Sequence, residues 1–341
     1  MTAFLVSGAI ILAYWIEDHW IRAFYLWATI SVVMIYSTLA VTGILGLATL
    51  HMSTVDSLVK LSVAMIVFIT ATRIKKENVE FVFNVFCVFI LMQCVFFLLQ
   101  HVGLDIMRGV TYFTLASLNT VVFSGTLGNP NFFAACVVIT MPLFFRKRWV
   151  WCLPILIVCL MLARTSGAVA AVIVGICYWI WKSKAKQRVY ILAAVAVLVV
   201  VFFMVFEDLA FDAFRKRAWR SIIEHWRTWL PIGSGFGSYQ IYAGVEHAHN
   251  DYLEAAFEGG FVHVICFLGF GITFLVNAWK EVDRIKVLIM TSLVMLGVNA
   301  FFNYPLRLAP SGFIALVLLG MYCNGRLFNI RGHLRANPEP H

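Results

Sequence analysis

The chain has 341 residues, of which 62% are hydrophobic and only 13% charged. A soluble domain carries roughly 45–50% apolar and about 25% charged residues, so this composition excludes a soluble globule. The 30 Phe, 11 Trp and 11 Tyr exclude intrinsic disorder, and the formal net charge of +9 reads as loop charge that sets membrane topology.

The expected class is an all-α polytopic membrane protein. Apolar runs between charge clusters predict about eleven transmembrane helices. They lie near 3–16, 23–49, 55–72, 79–100, 131–145, 149–163, 167–181, 189–206, 252–279, 286–302 and 309–324. With the N-terminus outside, Arg22, Arg73/Lys75/Lys76, Arg146/Lys147/Arg148, Lys182/Lys184/Lys186/Arg188, Lys280/Arg284/Lys286 and Arg326/Arg331/Arg335 all fall on one side. Those clusters hold most of the 26 Lys and Arg, so that side is the cytoplasm. The expected organisation is a single transmembrane domain over 1–330 and a polar, cytoplasmic, disordered tail over 331–341. The eight cysteines all lie in apolar runs without a CxxC pair and read as buried free thiols. No basic–aromatic platform is present, so nucleic acid is not an expected partner, whereas the lipid bilayer is.

Two long connections face outward, about 101–130 and about 207–251. The first ends in Gly128-Asn-Pro-Asn131. Pro130 restricts Asn129 to an extended conformation, and Asn131 is a plausible N-cap of the span that follows. Between the sixth and seventh spans, at the outer side, stands Arg164-Thr-Ser-Gly167. This arginine is either an anion contact or an interfacial anchor.

The second outer loop carries Arg215, Lys216, Arg217, Arg220 and Arg227, against the charge rule. An anionic ligand such as phosphate gives a physical reason for them. Residues 211–230 have helical periodicity, with Trp219, Ile222, Ile223, Trp226, Trp229 and Leu230 on one face. Arg215 projects into that face. It either snorkels to lipid headgroups or aims at a buried anion. Pro231 ends the helix, and Gly233-Ser-Gly-Phe-Gly237 follows. With no βαβ unit around it, the glycine run reads as a turn where backbone passes close to something.

Next comes Glu246-His-Ala-His-Asn-Asp-Tyr-Leu-Glu254. His247 and His249 do not share a helix face, so they are no helical zinc pair. Asp251 with Glu254 signals a helix start, with Asn250 or Asp251 as the N-cap. The histidines then sit before the positive end of a helix, which disfavours imidazolium and suits a general base. Solvated histidines beside a cap account for the pattern as well. Glu254 and Glu258 lie one turn apart and read as pore-lining, as arginine partners or as interfacial residues. Tyr239, Tyr242 and Tyr252 suit sugar stacking or an interfacial belt. Asp208 with Asp212 reads as a helix start and not as a metal site; no D-x-D-type site is expected.

Three segments together resemble the O-antigen ligase and O-antigen polymerase superfamily of bacterial membrane glycosyltransferases. Gly128-Asn-Pro-Asn-Phe-Phe-Ala134 is like the family's G-N-P-N-x-x-A. Arg215-x-x-x-Trp219, then Pro231 and Gly233-x-Gly-x-Gly237, is like its R-x-x-x-W and P-x-x-G-x-G-x-G. His247-Ala-His-Asn-Asp-Tyr-Leu253 with Glu258-Gly259 is similar to its H-x-H-N-x-x-L and E-x-G. Many members carry S-R-G-A where this chain reads Arg164-Thr-Ser-Gly-Ala168, with the arginine before the serine.

The resemblance implies transfer of a glycan from an undecaprenyl-pyrophosphate carrier to a hydroxyl acceptor, a glycan or lipid A-core, without cofactor or metal. It implies that Arg215 contacts the pyrophosphate and that His249 activates the acceptor, with inversion at the anomeric carbon. Arg164, His247, Asn250, Asn129, Asn131, Glu254 and Tyr252 are the candidate substrate-binding residues. The implied location is the bacterial inner membrane, with the N-terminus periplasmic and the C-terminus cytoplasmic. Polymerase, lipopolysaccharide ligase and protein O-oligosaccharyltransferase share these motifs. A lipid-linked sugar flippase or other polysaccharide transporter is the alternative from another class. It predicts charges at mid-depth and paired broken helices in two related halves, and no internal repeat is evident.

Overall fold

A computed structural model describes residues 63–104 except 65, then 123–182, 248–306 and 309–324, with isolated positions at 219, 220, 222–224, 233 and 239; along 262–278 several residues are described by backbone alone. Among the described residues the structure is helical, with no strand. Helix α1 is Val79–His101, α2 is Pro130–Thr140, α3 is Leu153–Ala163 and α4 is Ser166–Lys182. Helix α5 is Asp251–Lys280, α6 is Arg284–Asn299 and α7 is Ala309–Cys323. Each starts and stops within a few residues of an expected span. The spans expected near 3–16, 23–49 and 189–206 lie outside the described residues, as do the tail and half of 55–72. One described helix, Lys76–His101, is long and apolar enough to cross a membrane by length and composition.

Local chemistry explains the boundaries. A 3-10 turn, Met141–Phe145, prolongs α2, because Pro142 cannot donate to the helical ladder. At the start of α6 the Asp283 carboxylate accepts from the amides of Ile285 (2.9 Å) and Lys286 (3.0 Å). One boundary is new. At Gly260 the backbone leaves the helix (φ +64, ψ −167), so α5 is two helices joined at a break. The expected span ran unbroken through this point, because apolar residues on both sides of Gly259 and Gly260 read as one continuous run.

Helices α2 and α6 form the centre. Helix α2 touches α1, α3, α4, α6 and α7, and α6 packs along α4. Every residue from Phe133 to Thr140 is buried. Small residues permit this closeness. A Cβ on Gly175 of α4 would fall on Met295 of α6, and one on Gly320 of α7 would meet Ala71 and the Phe68 carbonyl. The outward faces are apolar as well. Phe81, Val85, Val88, Met92 and Val95 run down the exposed side of α1, and Phe261, Ile265, Leu268, Ile272 and Leu275 down that of α5.

The contacts sort into two ends. At one end Arg146 donates to Glu80 and Asn84 and lies over the Phe83 ring. There, too, Lys182 donates to the carbonyls of Trp279 and Glu281, and Asn324 Nδ2 donates to the Ile74 carbonyl (2.8 Å). These residues come from or adjoin the basic clusters that the charge rule gathers on one side. At the other end Phe97 of α1 stacks on Phe133 of α2, with ring centroids 4.3 Å apart. The described parts of the motif segments, Gly128–Ala134 and Ala248–Leu253, lie at this second end.

Candidate functional site

The Gly128-Asn-Pro-Asn segment is positioned by α1. Two buried glutamines hold the turn that leads into it. Gln100 Oε1 accepts from the amides of Ser124 (3.1 Å) and Gly125 (2.9 Å), and its Nε2 donates to the Gly125 carbonyl (2.8 Å). Gln93 Oε1 accepts from the amide (3.0 Å) and hydroxyl (2.9 Å) of Thr126. The chain then enters α2 through an extended Asn129 (φ −150, ψ 135). Asn129 is the cap, its side chain accepting from the Asn131 amide at 2.8 Å. This corrects the expectation that Asn131 caps the helix. Pro130 takes the first helical position, where its fixed φ fits and no donor is lost, which moves the cap one residue before it.

The His-Ala-His-Asn segment is pinned from several directions. The Ala248 amide donates to Glu254 Oε2 (3.1 Å), and the Ala248 carbonyl accepts from Trp219 Nε1 (2.9 Å). Asn250 Oδ1 accepts from the amides of Tyr252 and Leu253, each at 3.0 Å, making Asn250 the N-cap of α5. The Asp251 amide donates to the carbonyls of Ala300 (2.9 Å) and Asn303 (3.3 Å), and Asp251 Oδ2 accepts from the Leu306 amide (2.9 Å). Between these ties His249 has φ +51, a left-handed conformation rare for a residue with a Cβ.

Tyr304 joins the segments. Its ring meets the His249 ring edge-on, with centroids 5.1 Å apart, and the Phe132 ring at 5.6 Å. Just before it, Phe302 and Asn303 press on Gly167, where a Cβ would meet Asn303 Nδ2 at 3.2 Å. The start of α4 is thereby brought to the same end. Asn303 Nδ2 donates to Asn299 Oδ1 at 2.8 Å. Thr165 Oγ1, Asn299 Nδ2 and Asn303 Oδ1 are buried without a hydrogen-bond partner among the described residues. Buried amide and hydroxyl groups of this kind mark polar ground inside an apolar bundle.

The expected site residues divide as follows. Asn129, Asn131, His249, Asn250, Tyr252, Glu254 and Arg164 lie at one end of the bundle. His249 is half-buried and Arg164 is exposed. Arg164 closes α3 in a left-handed conformation (φ +51). Arg215 and His247 lie outside the described residues. Glu254 and Glu258 are fully buried on the short N-terminal leg of α5, at 1% and 0% exposure. Tyr252 donates to the Gly297 carbonyl (2.7 Å) and rests against Phe301, tying α5 to α6. Tyr239 packs against Phe257 in a small cluster with Ile222 and Ala248. It is therefore neither a sugar platform nor an interfacial residue. Burial, and then the Glu254 carboxylate, push its phenol above the ordinary value.

Asn299, Asn303 and Tyr304 were not singled out by sequence reasoning. The signal available was weak: an Asn-Tyr-Pro at the end of an apolar run, in the connection after α6. No group of three or more His, Cys, Asp or Glu with the makings of a metal site occurs among the described residues. At the opposite end a cleft is lined by Glu80, Asn84, Arg146, Lys147 and Arg148, and there Arg146 binds its own neighbours. No family model and no curated protein matches the chain.

Proposed function

We propose that the chain is a bacterial inner-membrane glycosyltransferase of the O-antigen ligase or polymerase type. It crosses the membrane about eleven times and works at the periplasmic face. It transfers a glycan from undecaprenyl pyrophosphate to a hydroxyl acceptor without a cofactor. One observation supports this above the others. Segments far apart in sequence, each resembling a motif of that family, meet at the end of the bundle opposite the basic clusters: Phe132 and His249 both lie against Tyr304. The apolar outer faces of α1 and α5 support the bilayer setting.

In this reading the acceptor oxygen attacks the anomeric carbon from the face opposite the pyrophosphate. The bond from that carbon to the pyrophosphate oxygen breaks, and the oxygen leaves with the electron pair. His249 takes the acceptor proton, and the configuration inverts. Arg215, with Arg164, stabilises the negative charge that develops on the leaving group. Asn129 and Asn250 cap helices here, Asn131 supplies the amide that Asn129 binds, and His247 adjoins the base.

The test is transfer by purified protein in detergent. The donor is the undecaprenyl-pyrophosphate-linked glycan pool from cells lacking the gene, and release of undecaprenyl pyrophosphate is read by mass spectrometry. Activity with no membrane potential and no second compartment separates an enzyme from a transporter. His249→Ala and Arg215→Ala should each abolish release while the protein still accumulates. Full activity in both ends the proposal. Gel analysis of lipopolysaccharide from the deletion strain then assigns the subtype. Loss of all O-chains means a ligase, single-repeat chains a polymerase, and an altered glycoprotein alone a protein transferase.

A further inference from the structure

The sequence admits Glu254 as a residue that meets substrate or pairs with an arginine. The structure gives its carboxylate another task. Glu254 is 1% exposed, and its Oε2 accepts from the amide of Ala248 at 3.1 Å. The carbonyl of the same Ala248 accepts from Trp219 Nε1 at 2.9 Å. Ala248 is itself fully buried. One residue is thus held at its amide by the first turn of α5 and at its carbonyl by a tryptophan from the preceding loop. The next residue is His249, in the left-handed region. A non-glycine residue stays there only when its surroundings over-determine it, at a cost of order 1–3 kcal/mol. On the far side the grip is equally firm. Asn250 caps α5, and the Asp251 amide donates to the carbonyls of Ala300 and Asn303. From this backbone the His249 ring lies edge-on to Tyr304.

We infer that Glu254 and Trp219 are positioning residues: together they lock the Ala248 backbone so that His249 holds the left-handed conformation that presents its ring at the Tyr304 rim. This rests on the reading of His249 as the base. Glu254 does not meet substrate. Its carboxylate works as a fixed acceptor for one amide, and a side-chain amide oxygen can do the same. Displacing a catalytic group by about 1 Å costs on the order of a hundredfold in rate. The loss falls on turnover and not on donor binding, since the donor pyrophosphate is held by arginines elsewhere.

The experiment uses the full-length protein in detergent with the extracted undecaprenyl-pyrophosphate-linked glycan pool. Glu254→Ala should lower kcat about a hundredfold with KM for the donor unchanged. Glu254→Gln, which keeps an acceptor oxygen, should restore most of the rate. Trp219→Phe, which keeps the ring and removes the donor, should lower kcat about tenfold, the worth of one hydrogen bond. A Glu254→Gln variant as inactive as Glu254→Ala, or a raised KM in either, assigns the carboxylate to substrate and overturns the inference. So does wild-type kcat in both Glu254→Ala and Trp219→Phe. If Glu254→Ala does not accumulate, Glu254→Gln and Trp219→Phe decide by the same criteria. Full activity of both His249→Ala and Arg215→Ala sinks the proposed function itself; full activity of His249→Ala alone, or loss there with none in the positioning variants, sinks only this inference.

Discussion

A methyl group at Gly233 has nowhere to go. Its Cβ would fall on the carbonyl of Glu258 and close to Gly259, and its φ of +81 strains any other residue. The loop glycine therefore seats directly against the break that Gly260 makes in α5. Gly233→Ala should cost about 2 kcal/mol or more, through overlap with rigid backbone added to conformational strain. Gly128 is the control. It too has a positive φ (+77), but open space surrounds its Cβ position, so Gly128→Ala should cost only about 1 kcal/mol. Thermal midpoints in detergent measure both, and equal losses would refute the account. The sequence allows the inference that backbone passes close to this glycine run. It cannot name Glu258 and Gly259 as the neighbours, because tertiary packing brings that contact together across 25 positions in the chain.

Helices were readable because each rests on local rules. Apolar runs end at basic clusters, and Asn250 stands where a cap is expected. The element the sequence misjudged is the entry to α2. Two asparagines flank Pro130, and the second was favoured. The structure chooses the first, since proline prefers the first helical position and Asn129 Oδ1 then reaches the Asn131 amide. Asn129→Ala should destabilise the protein by about 1 kcal/mol, and Asn131→Ala by less than about 0.5 kcal/mol, because alanine at 131 keeps the amide that Asn129 binds. Thermal unfolding of the two variants in parallel decides it, and the reverse order would return the cap to Asn131. The Gln93 and Gln100 ties to Ser124, Gly125 and Thr126 were not readable at all. A glutamine in an apolar run declares that it needs a partner, but not which turn supplies it.

Across the whole molecule, the charge pattern and the side-chain contacts agree on how residues are distributed between two ends. The basic clusters were assigned to one side by counting alone. In the structure Arg146 meets the start of α1, Asn324 meets Ile74, and Lys182 meets the turn after α5. The candidate site was readable as a set of segments on the other side. Its meeting point at Tyr304 was not, because nothing in the spacing of Phe132 and His249 says that one ring touches both. If the bundle stands in a bilayer as proposed, the two ends face different compartments. Lys147 is exposed at the basic end and Leu104 at the opposite end. A cysteine placed at Lys147 should react with a membrane-impermeant maleimide only after spheroplasts are permeabilised, whereas one at Leu104 should react in intact spheroplasts. The native thiols Cys87, Cys94, Cys136, Cys159 and Cys323 are buried, so changing Cys152 and Cys177 to serine gives a quiet background among the described cysteines. Labelling of both positions from the same side would dismantle the antiparallel arrangement in the membrane. Labelling from opposite sides with Lys147 outward would put His249 in the cytoplasm, on the wrong side for the proposed periplasmic transfer, and the proposed reaction would lose its compartment.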